Sequence, residues 1–463
     1  MSDASSSSRV QPRAGGSPMR WVPSLYFVQG MQFWVVMLIA GLMFKNMGVS
    51  NQEIARWTGV LGLAWAIKPL WSPFLELFRS KKRIVVAMQF TGAVCLGAVA
   101  LVLQSPAFFA LTIAVLCLLA YASATHDIAC DGLYMASLSA PQQAAYAGWQ
   151  GAFFNASKFL TLGALIVWAG HLEKSVGVFN AWSTIFCGLA VLLALLASYN
   201  AWALPSPASA ANAPRSAQAV WQTLQEVIVA FFRKPGIWLA ILFIVLFRFA
   251  EGQVQTIGPL FLLEKREAGG LGLLTEQIGA IYGGIGTAAF LVGSILGGLF
   301  ASRLGLKRAM PLLIIAMAVP NMTFAWLAHV RPAVDSGIAL PTLLASLPGM
   351  PSTLSDIAIA VTIEMFGYGF GFVGMILYIM QAVAPGPFQT AHYALGSGVM
   401  QLGFIFSKTI SGDLQAALGY EHFFYWTIAC GVPALALLVW VKLPGRDGAP
   451  AAQSTPAGEG SLA

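Results

Sequence analysis

Apolar residues fall along this chain in long blocks separated by short polar breaks. An apolar run of about 20 residues crosses the roughly 30 Å hydrocarbon core of a bilayer as a helix. Twelve such spans are expected, at about 23–44, 57–78, 84–103, 107–136, 144–168, 177–203, 236–263, 277–300, 309–329, 356–382, 390–412 and 421–443. The fourth is long enough to tilt or to project beyond the bilayer. Between the sixth and seventh lie about 30 Pro/Ala/Ser/Asn-rich residues, a flexible linker with a surface helix expected around Val220–Phe232.

Composition sharpens this reading. Of 463 residues, 58% are hydrophobic and 9% charged, where a soluble domain carries about a quarter charged residues. With a mean hydropathy of +0.74, apolar side chains must face outwards as well as inwards. The chain is therefore expected to be a multi-pass membrane protein. The five cysteines lie in apolar runs, are odd in number and form no CxxC pair, so neither a disulfide framework nor a zinc site is indicated. Residues 1–20 read as a polar tail rather than a cleavable signal, because the apolar run after Arg20 is too long for an h-region.

The charges orient the spans. An even number puts both termini on one side, and most Lys and Arg fall in the tails and loops of that side. The opposite loops hold six: Lys45, Arg56, Lys174, Lys265, Arg266 and Arg331. The positive-inside rule then makes both termini cytoplasmic. The net charge of +7 is thereby used up as topology, and no nucleic-acid partner is expected. The organisation is a tail over 1–20, a six-helix bundle over 21–204, a linker over 205–235, a second bundle over 236–445 and a tail over 446–463. Both tails are expected to be disordered. Two such bundles describe a transporter.

Four bases and four acids lie inside spans: Lys68, Lys158, Arg248 and Lys408, with Asp127, Asp131, Glu251 and Glu364. A charge at mid-membrane is costly unless it is paired or faces water, so equal numbers suggest pairing around a polar cavity. Lys68 is followed by two prolines in Ile67-Lys68-Pro69-Leu70-Trp71-Ser72-Pro73, where a kinked helix is expected. Asp127 and Asp131 are one turn apart and share a face, and Arg248 can pair with Glu251 three residues on. A carboxylate released by a cation as it takes a proton is a physical basis for proton coupling, which makes Asp127, Asp131, Glu251 and Glu364 the coupling candidates. Lys68, Arg248 and Lys158 are the candidates for meeting substrate, with Gln29, Gln32, Tyr134, Asn155 and Tyr368 completing a site. Lys408 reads as snorkelling from an outer helix end. His126 beside Asp127 points elsewhere and reads as structural. Gly369-Phe-Gly371-Phe-Val-Gly374 matches a dinucleotide-binding pattern in letters but follows no strand, so the glycines there and at Gly283, Gly286, Gly293 and Gly297 are read as close helix contacts. No nucleotide motor, metal cluster or nucleophile elbow is present, and no cofactor or enzymatic activity is expected.

Certain residues resemble known patterns. Gly298-Leu-Phe-Ala-Ser302-Arg303-Leu-Gly305-Leu-Lys307-Arg308 resembles the short cytoplasmic signature of the major facilitator superfamily, G-x-x-x-D-R-x-G-x-(K/R)-(K/R), with Ser302 for Asp. Pro73-Phe-Leu-Glu76-Leu-Phe-Arg79-Ser-Lys81-Lys82-Arg83 is a degenerate copy at the matching place in the first half. Glu76, Arg79, Arg303, Gly305, Lys307 and Arg308 thus form the expected gating loops, whose bases would meet helix C-terminal carbonyls. Lys68-Pro69-Leu70-Trp71-Ser72-Pro73 with Glu76, Ser123-Ala124-Thr125-His126-Asp127-Ile128-Ala129-Cys130-Asp131, Arg248-Phe-Ala-Glu251, Glu364 with Gly367, Gly369 and Gly371, and Thr390-Ala-His-Tyr393-Ala394-Leu395 resemble, in order, the AmpG-type muropeptide permeases and the wider peptide/acetyl-coenzyme A transporter family. The similarity runs over about residues 21–445, with Glu76 and Glu251 standing where Asp is usual.

This resemblance implies an all-α fold of two six-helix bundles around a cavity. It implies proton-driven import by alternating access across a bacterial-type inner membrane, by a chain expected to be monomeric. The leading cargo is an anhydro-muropeptide, whose carboxylates would meet Lys68 and Arg248 while Asp127 or Glu364 carries the proton. A siderophore, a small oligosaccharide, or a sensor without flux are the alternatives.

Overall fold

The computed structural model describes residues 17–78, 80–206, 216–339 and 353–443. Most of both tails, and the bases Arg79, Arg215 and Arg446, lie outside these residues. Six helical passes form an N-terminal bundle: α1 (Pro18–Asn46), α2 (51–77), α3 (Lys81–Val102), α4 (Phe108–Ser137), α5 (Pro141–Val176) and α6 (Val178–Ala203). Six more form a C-terminal bundle: α7 (Ile237–Leu263), α8 (Thr275–Leu304), α9 (Leu306–Val330), α10 (Asp356–Val383), α11 (389–418) and α12 (420–437). Between the bundles, a linker helix covers Ala217–Phe232.

Among the described residues, nine of these passes are single helices long and apolar enough to cross a membrane. The other three depart from the expected continuous spans for local reasons. In α2, Pro69 and Pro73 lack the amide hydrogens an α-helix needs. The pass is α-helical over Asn51–Leu61 and Leu63–Ile67 and then tightens into 3-10 turns at Lys68–Leu70 and Ser72–Leu77. The passes α11 and α12 run together over Gln389–Ala429, with a sharp break at Gly419, whose φ of 71° suits glycine. A second departure from an all-helical reading is a short antiparallel pair, β1 (Gly337–Ala339) with β2 (Thr353–Ser355), in the segment between α9 and α10.

Glycines set the tightest helix contacts, as their clustering suggests. A Cβ on Gly293 or Gly297 of α8 would strike the carbonyls of Phe366 and Phe370 on α10, and one on Gly369 would strike the Phe290 carbonyl. Between bundles, π turns at Phe159–Ala164 of α5 and Gly279–Gly286 of α8 lie against each other, with Gly283 seated on the Leu162 carbonyl. The periphery is apolar outwards as well: Leu101 is 78% exposed, Leu195 64% and Ile295 64%, as lipid-facing side chains should be.

The apolar core is distributed unevenly across the thickness of the molecule. Toward the face opposite the termini, one continuous cluster joins Met43, Phe44 and Ile166 of the first bundle to Phe261, Ile278 and Phe424 of the second. Toward the terminal face the cores separate. One gathers around Trp21, Tyr26 and Leu133, the other around Phe231, Phe243 and Tyr378. The bundles are thus closed together on the far face and parted on the terminal face.

Polar bonds reinforce the closed side. Lys45 pairs with Glu264, Lys174 with Glu276, and Arg56 with Asp413 at 3.2 Å, each across the two bundles. The Asn46 amide donates to Thr275 at 2.7 Å, and that of Asn51 to Gln415 at 2.9 Å and Tyr420 at 2.8 Å. Exposed ion pairs are worth roughly 0–1 kcal/mol each. Arg56 and Lys174 are more than half exposed, so replacing either singly by Ala is expected to be nearly silent, whereas Lys45 is largely buried against Glu264 and Asn51 and its replacement is expected to cost more. Replacing all three is expected to raise far-face labelling of a cysteine placed at Leu42 by several-fold, read with a membrane-impermeant thiol reagent. Labelling unchanged in the triple variant would show that apolar packing alone holds the closure.

Candidate functional site

The 3-10 segment of α2 presents Lys68 toward α4. Its ammonium donates to Asp127, whose other oxygen accepts from the Gln29 amide of α1. Asp127 is 9% exposed, so the pair is held at the edge of the bundle core rather than in open water. One turn toward the terminal face, Asp131 accepts from the Tyr26 hydroxyl at 3.1 Å, and Gln150 of α5 donates to the same hydroxyl at 2.7 Å. This is one polar cluster, confined to the N-terminal bundle.

A second cluster belongs to the C-terminal bundle. Arg248 and Glu251 on α7 pair at 3.0 Å with both side chains buried, and Tyr368 of α10 lies beside them. The guanidinium rests between the rings of Phe372 and Phe404, 4.7 Å from each centroid. Farther along, the Gln255 amide donates to Glu364 at 3.3 Å and its carbonyl accepts from the Tyr282 hydroxyl at 2.9 Å. The second Glu364 oxygen is buried without a hydrogen-bond partner among the described residues.

Lys158 of α5 lies between the clusters. Its ammonium sits over Trp34 of α1 at 4.8 Å and over Phe290 of α8 at 5.0 Å, and Glu364 and Glu251 act on it electrostatically from the other bundle. Gly148, Gly151 and Asn155 precede it at helical spacing and leave that side of α5 open toward the terminal face. Asn155 bonds its own helix, at the Gly151 carbonyl, 2.8 Å.

Three expected placements are corrected. Gln32 is fully buried against Gly92 of α3 rather than in the clusters, because a residue without a side chain at 92 leaves room there for the amide. Tyr134 packs edge-on to Trp21 and Tyr26 and donates to the Gln143 carbonyl at 2.6 Å, which makes it an aromatic brace at the terminal end of α4. Lys408 does not snorkel. Since α11 continues to residue 418, Lys408 falls well inside it, 4% exposed, and donates to the Met37 carbonyl in the π turn of α1 at 2.9 Å. His126, read as structural, is fully buried against Gln89 at 2.9 Å.

The loops also differ from expectation. The side chains of Arg303, Lys307 and Arg308 are exposed, Gly305 turns the chain at φ 78°, and Ser302 bonds its own helix at Leu299. The backbone of Glu76 is in a 3-10 turn, and Arg79 lies outside the described residues. Helix ends are capped by other bases. Lys82 donates to the Leu204 carbonyl at 2.8 Å, and Lys234 to the carbonyls of Val383, Ala384 and Pro385.

Gln255, Tyr282, Tyr26, Gln150, Trp34 and Phe290 belong to this site and were not singled out in the sequence. A signal for the central position does exist. Phe154-x-x-Ser157-Lys158 on α5 recurs as Phe404-x-x-Ser407-Lys408 on α11. Each serine hydroxyl bonds back to its phenylalanine carbonyl, at 2.6 and 2.9 Å. Each also abuts a glycine on the first helix of its bundle, Gly30 or Gly252.

Two helical bundles, parted on one face and carrying buried charges where they meet, are the arrangement of a two-bundle membrane transporter. The sequence profile of the Major Facilitator Superfamily matches residues 24–387, and the chain belongs to that family. It is thus a multi-pass secondary transporter of a small-molecule solute and not an enzyme. It is similar to the anhydromuropeptide permease of Escherichia coli K12, 24% identical over 415 residues, 87% of this chain and 76% of that one. It is also similar to a Rickettsia conorii protein carrying the name AmpG 4, 23% identical over 432 residues, 90% of this chain and 95% of that one. Among solved structures, the nucleoside transporter NupG superimposes with a TM-score of 0.63 at 17% identity, covering 92% of this chain and 99% of that one. A D-xylose-proton symporter does so at 0.64 and 13%, covering 92% and 98%. These likenesses establish the fold.

Proposed function

We propose that this chain is a proton-driven importer of an anhydro-muropeptide or a similar sugar-peptide, resident in a bacterial plasma membrane with both termini cytoplasmic and acting as a monomer. The observation that carries the reading is the pair of buried mixed-sign clusters, Lys68 with Asp127 and Arg248 with Glu251, set in opposite bundles either side of Lys158. A transporter of neutral solute alone has no need to hold so many charges at this depth, where each costs several kcal/mol unless compensated. The named activity of the Escherichia coli relative supports the cargo class.

Coupling follows from the differing states of the carboxylates. Asp127 is held by Lys68 and Gln29, and it can take a proton when Lys68 turns to another anion. Glu364 has a free oxygen and a single neutral donor, so it can hold a proton while the bundles are parted. Cargo enters between the bundles, meets both clusters and lets them close.

The test is uptake of a labelled anhydro-disaccharide peptide by cells lacking their own muropeptide permease, with and without a protonophore. Accumulation several-fold above the external concentration that collapses on uncoupling is expected. Absence of uptake by inserted, folded protein would reject this cargo, and uptake indifferent to the protonophore would reject the proton drive.

A further inference from the structure

Of the three buried cationic side chains among the described residues, two have their charge answered on the spot. Arg248 has Glu251 at 3.0 Å, and Lys408 has the Met37 carbonyl at 2.9 Å. Lys158 has neither a carboxylate within ion-pair distance nor a hydrogen-bond acceptor among the described residues, although it is 3% exposed. Its contacts are the faces of Trp34 and Phe290, which stabilise a cation without satisfying its three N–H donors. An ammonium left this way is costly to hold, and an incoming anion can relieve that cost.

The repeat on α11 makes the contrast specific. Both lysines follow a serine that bonds back to a phenylalanine carbonyl, and both serines are clamped by a glycine of the bundle's first helix. The two side chains are thus launched by the same local construction. On α11 the ammonium ends on backbone where the bundles are closed. On α5 it ends between two aromatic rings, below the open strip of Gly148, Gly151 and Asn155. Lys68, the other intramembrane base, is engaged by Asp127.

We propose that Lys158 is the anion seat of the transporter. It takes a carboxylate of the cargo between the rings of Trp34 and Phe290 and so restricts transport to solutes bearing a free acid. This rests on the importer reading above and refines it, because it moves the recognition of the cargo's acid from Lys68 and Arg248 to Lys158. It also sets neutral oligosaccharides outside the cargo class.

The experiment is ligand-induced thermal stabilisation of the purified full-length carrier by N-acetylmuramic acid and by its methyl ester, which differ in the charge of one group. A charge-assisted hydrogen bond distinguishes the two by roughly tenfold to a hundredfold in apparent affinity. That preference is expected in the wild type, retained in Lys158→Arg and lost in Lys158→Gln. If Lys158→Gln does not fold, the wild type and Lys158→Arg must both still prefer the acid. Equal binding of acid and ester, absence of binding by either, or a preference for the acid that survives Lys158→Gln overturns the assignment. A preference for the acid in a carrier that fails to take up the labelled sugar-peptide would leave the seat standing and reject the cargo.

Discussion

Asp127→Asn is expected to abolish uptake driven by a proton gradient, lowering accumulation by at least roughly a hundredfold while the protein still inserts. The substitution keeps the shape of the side chain and its bond from Gln29 but removes the charge that answers Lys68. Breaking a buried ion pair at one partner costs about 3–5 kcal/mol because the other charge is stranded. Lys68 is partly exposed, with 30% of its side chain accessible, so water absorbs much of that penalty and the fold should survive. Transport has no such relief, since the Asn can neither bind nor release a proton. Lys68→Gln combined with Asp127→Asn should recover thermal stability over either single variant and still not accumulate cargo. The measurement is accumulation set against downhill exchange in the same cells. Accumulation undiminished in Asp127→Asn would remove this residue from coupling and leave Glu364 as the proton carrier.

The second large effect is expected at Gly283, where no charge is involved. A methyl group there meets the backbone carbonyl of Leu162 across the bundle interface, and backbone cannot rotate away as a side chain can. Overpacking of this kind costs about 1–3 kcal/mol. Because the clash exists in the state closed on the far face and is relieved when α5 and α8 separate there, the cost falls on one conformation rather than on folding. Gly283→Ala should therefore shift the population toward the far-open state by roughly tenfold to a hundredfold and slow turnover to match. Far-face labelling of a cysteine at Leu42 should rise without loss of thermal stability. A fall in stability with labelling unchanged would mean that the contact serves folding alone. Gly148→Ala, on the open strip of the same helix as Leu162, meets nothing within 4 Å among the described residues, which makes it the steric control for labelling and stability.

Much of this architecture is legible in the sequence, and the reason is the solvent. Lipid requires long apolar helices, so the two halves can be counted directly from sequence, and the prolines that follow Lys68 mark the break in α2. Charges inside apolar runs were equally visible, because a membrane leaves few reasons to keep Asp127 or Arg248. Partners were harder to see. Arg248 and Glu251 are local neighbours on one helix, whereas Gln255 and Tyr282 look like ordinary polar residues until α7 and α8 are placed side by side. The depth of Lys408 depends on where α11 ends, and the end is set by Gly419 rather than by any fall in hydropathy, so the sequence places it too near the surface. The far-face bases Lys45 and Lys174, which pair with Glu264 and Glu276, read in the sequence as loop charges bearing on topology. Their pairing needs the two halves in one frame.

The linker helix changes what the parted face can do. It lies against the end of α2 and the start of α11, with His392 Nε2 3.3 Å from the Val227 carbonyl, and Gly398 of α11 is packed on the Ala66 carbonyl of α2. That edge is bound like the spine of a book, while the strip along α5 is free. On the terminal face the α2–α11 edge is thus held, while a Cβ on Gly148 or Gly151 of α5 would meet nothing within 4 Å among the described residues. If the acid of a long cargo sits at Lys158, as proposed, the remainder of its length is expected to lie along the open strip of α5, so tolerance for added sugar or peptide units should be greater in that direction than toward the α2–α11 edge.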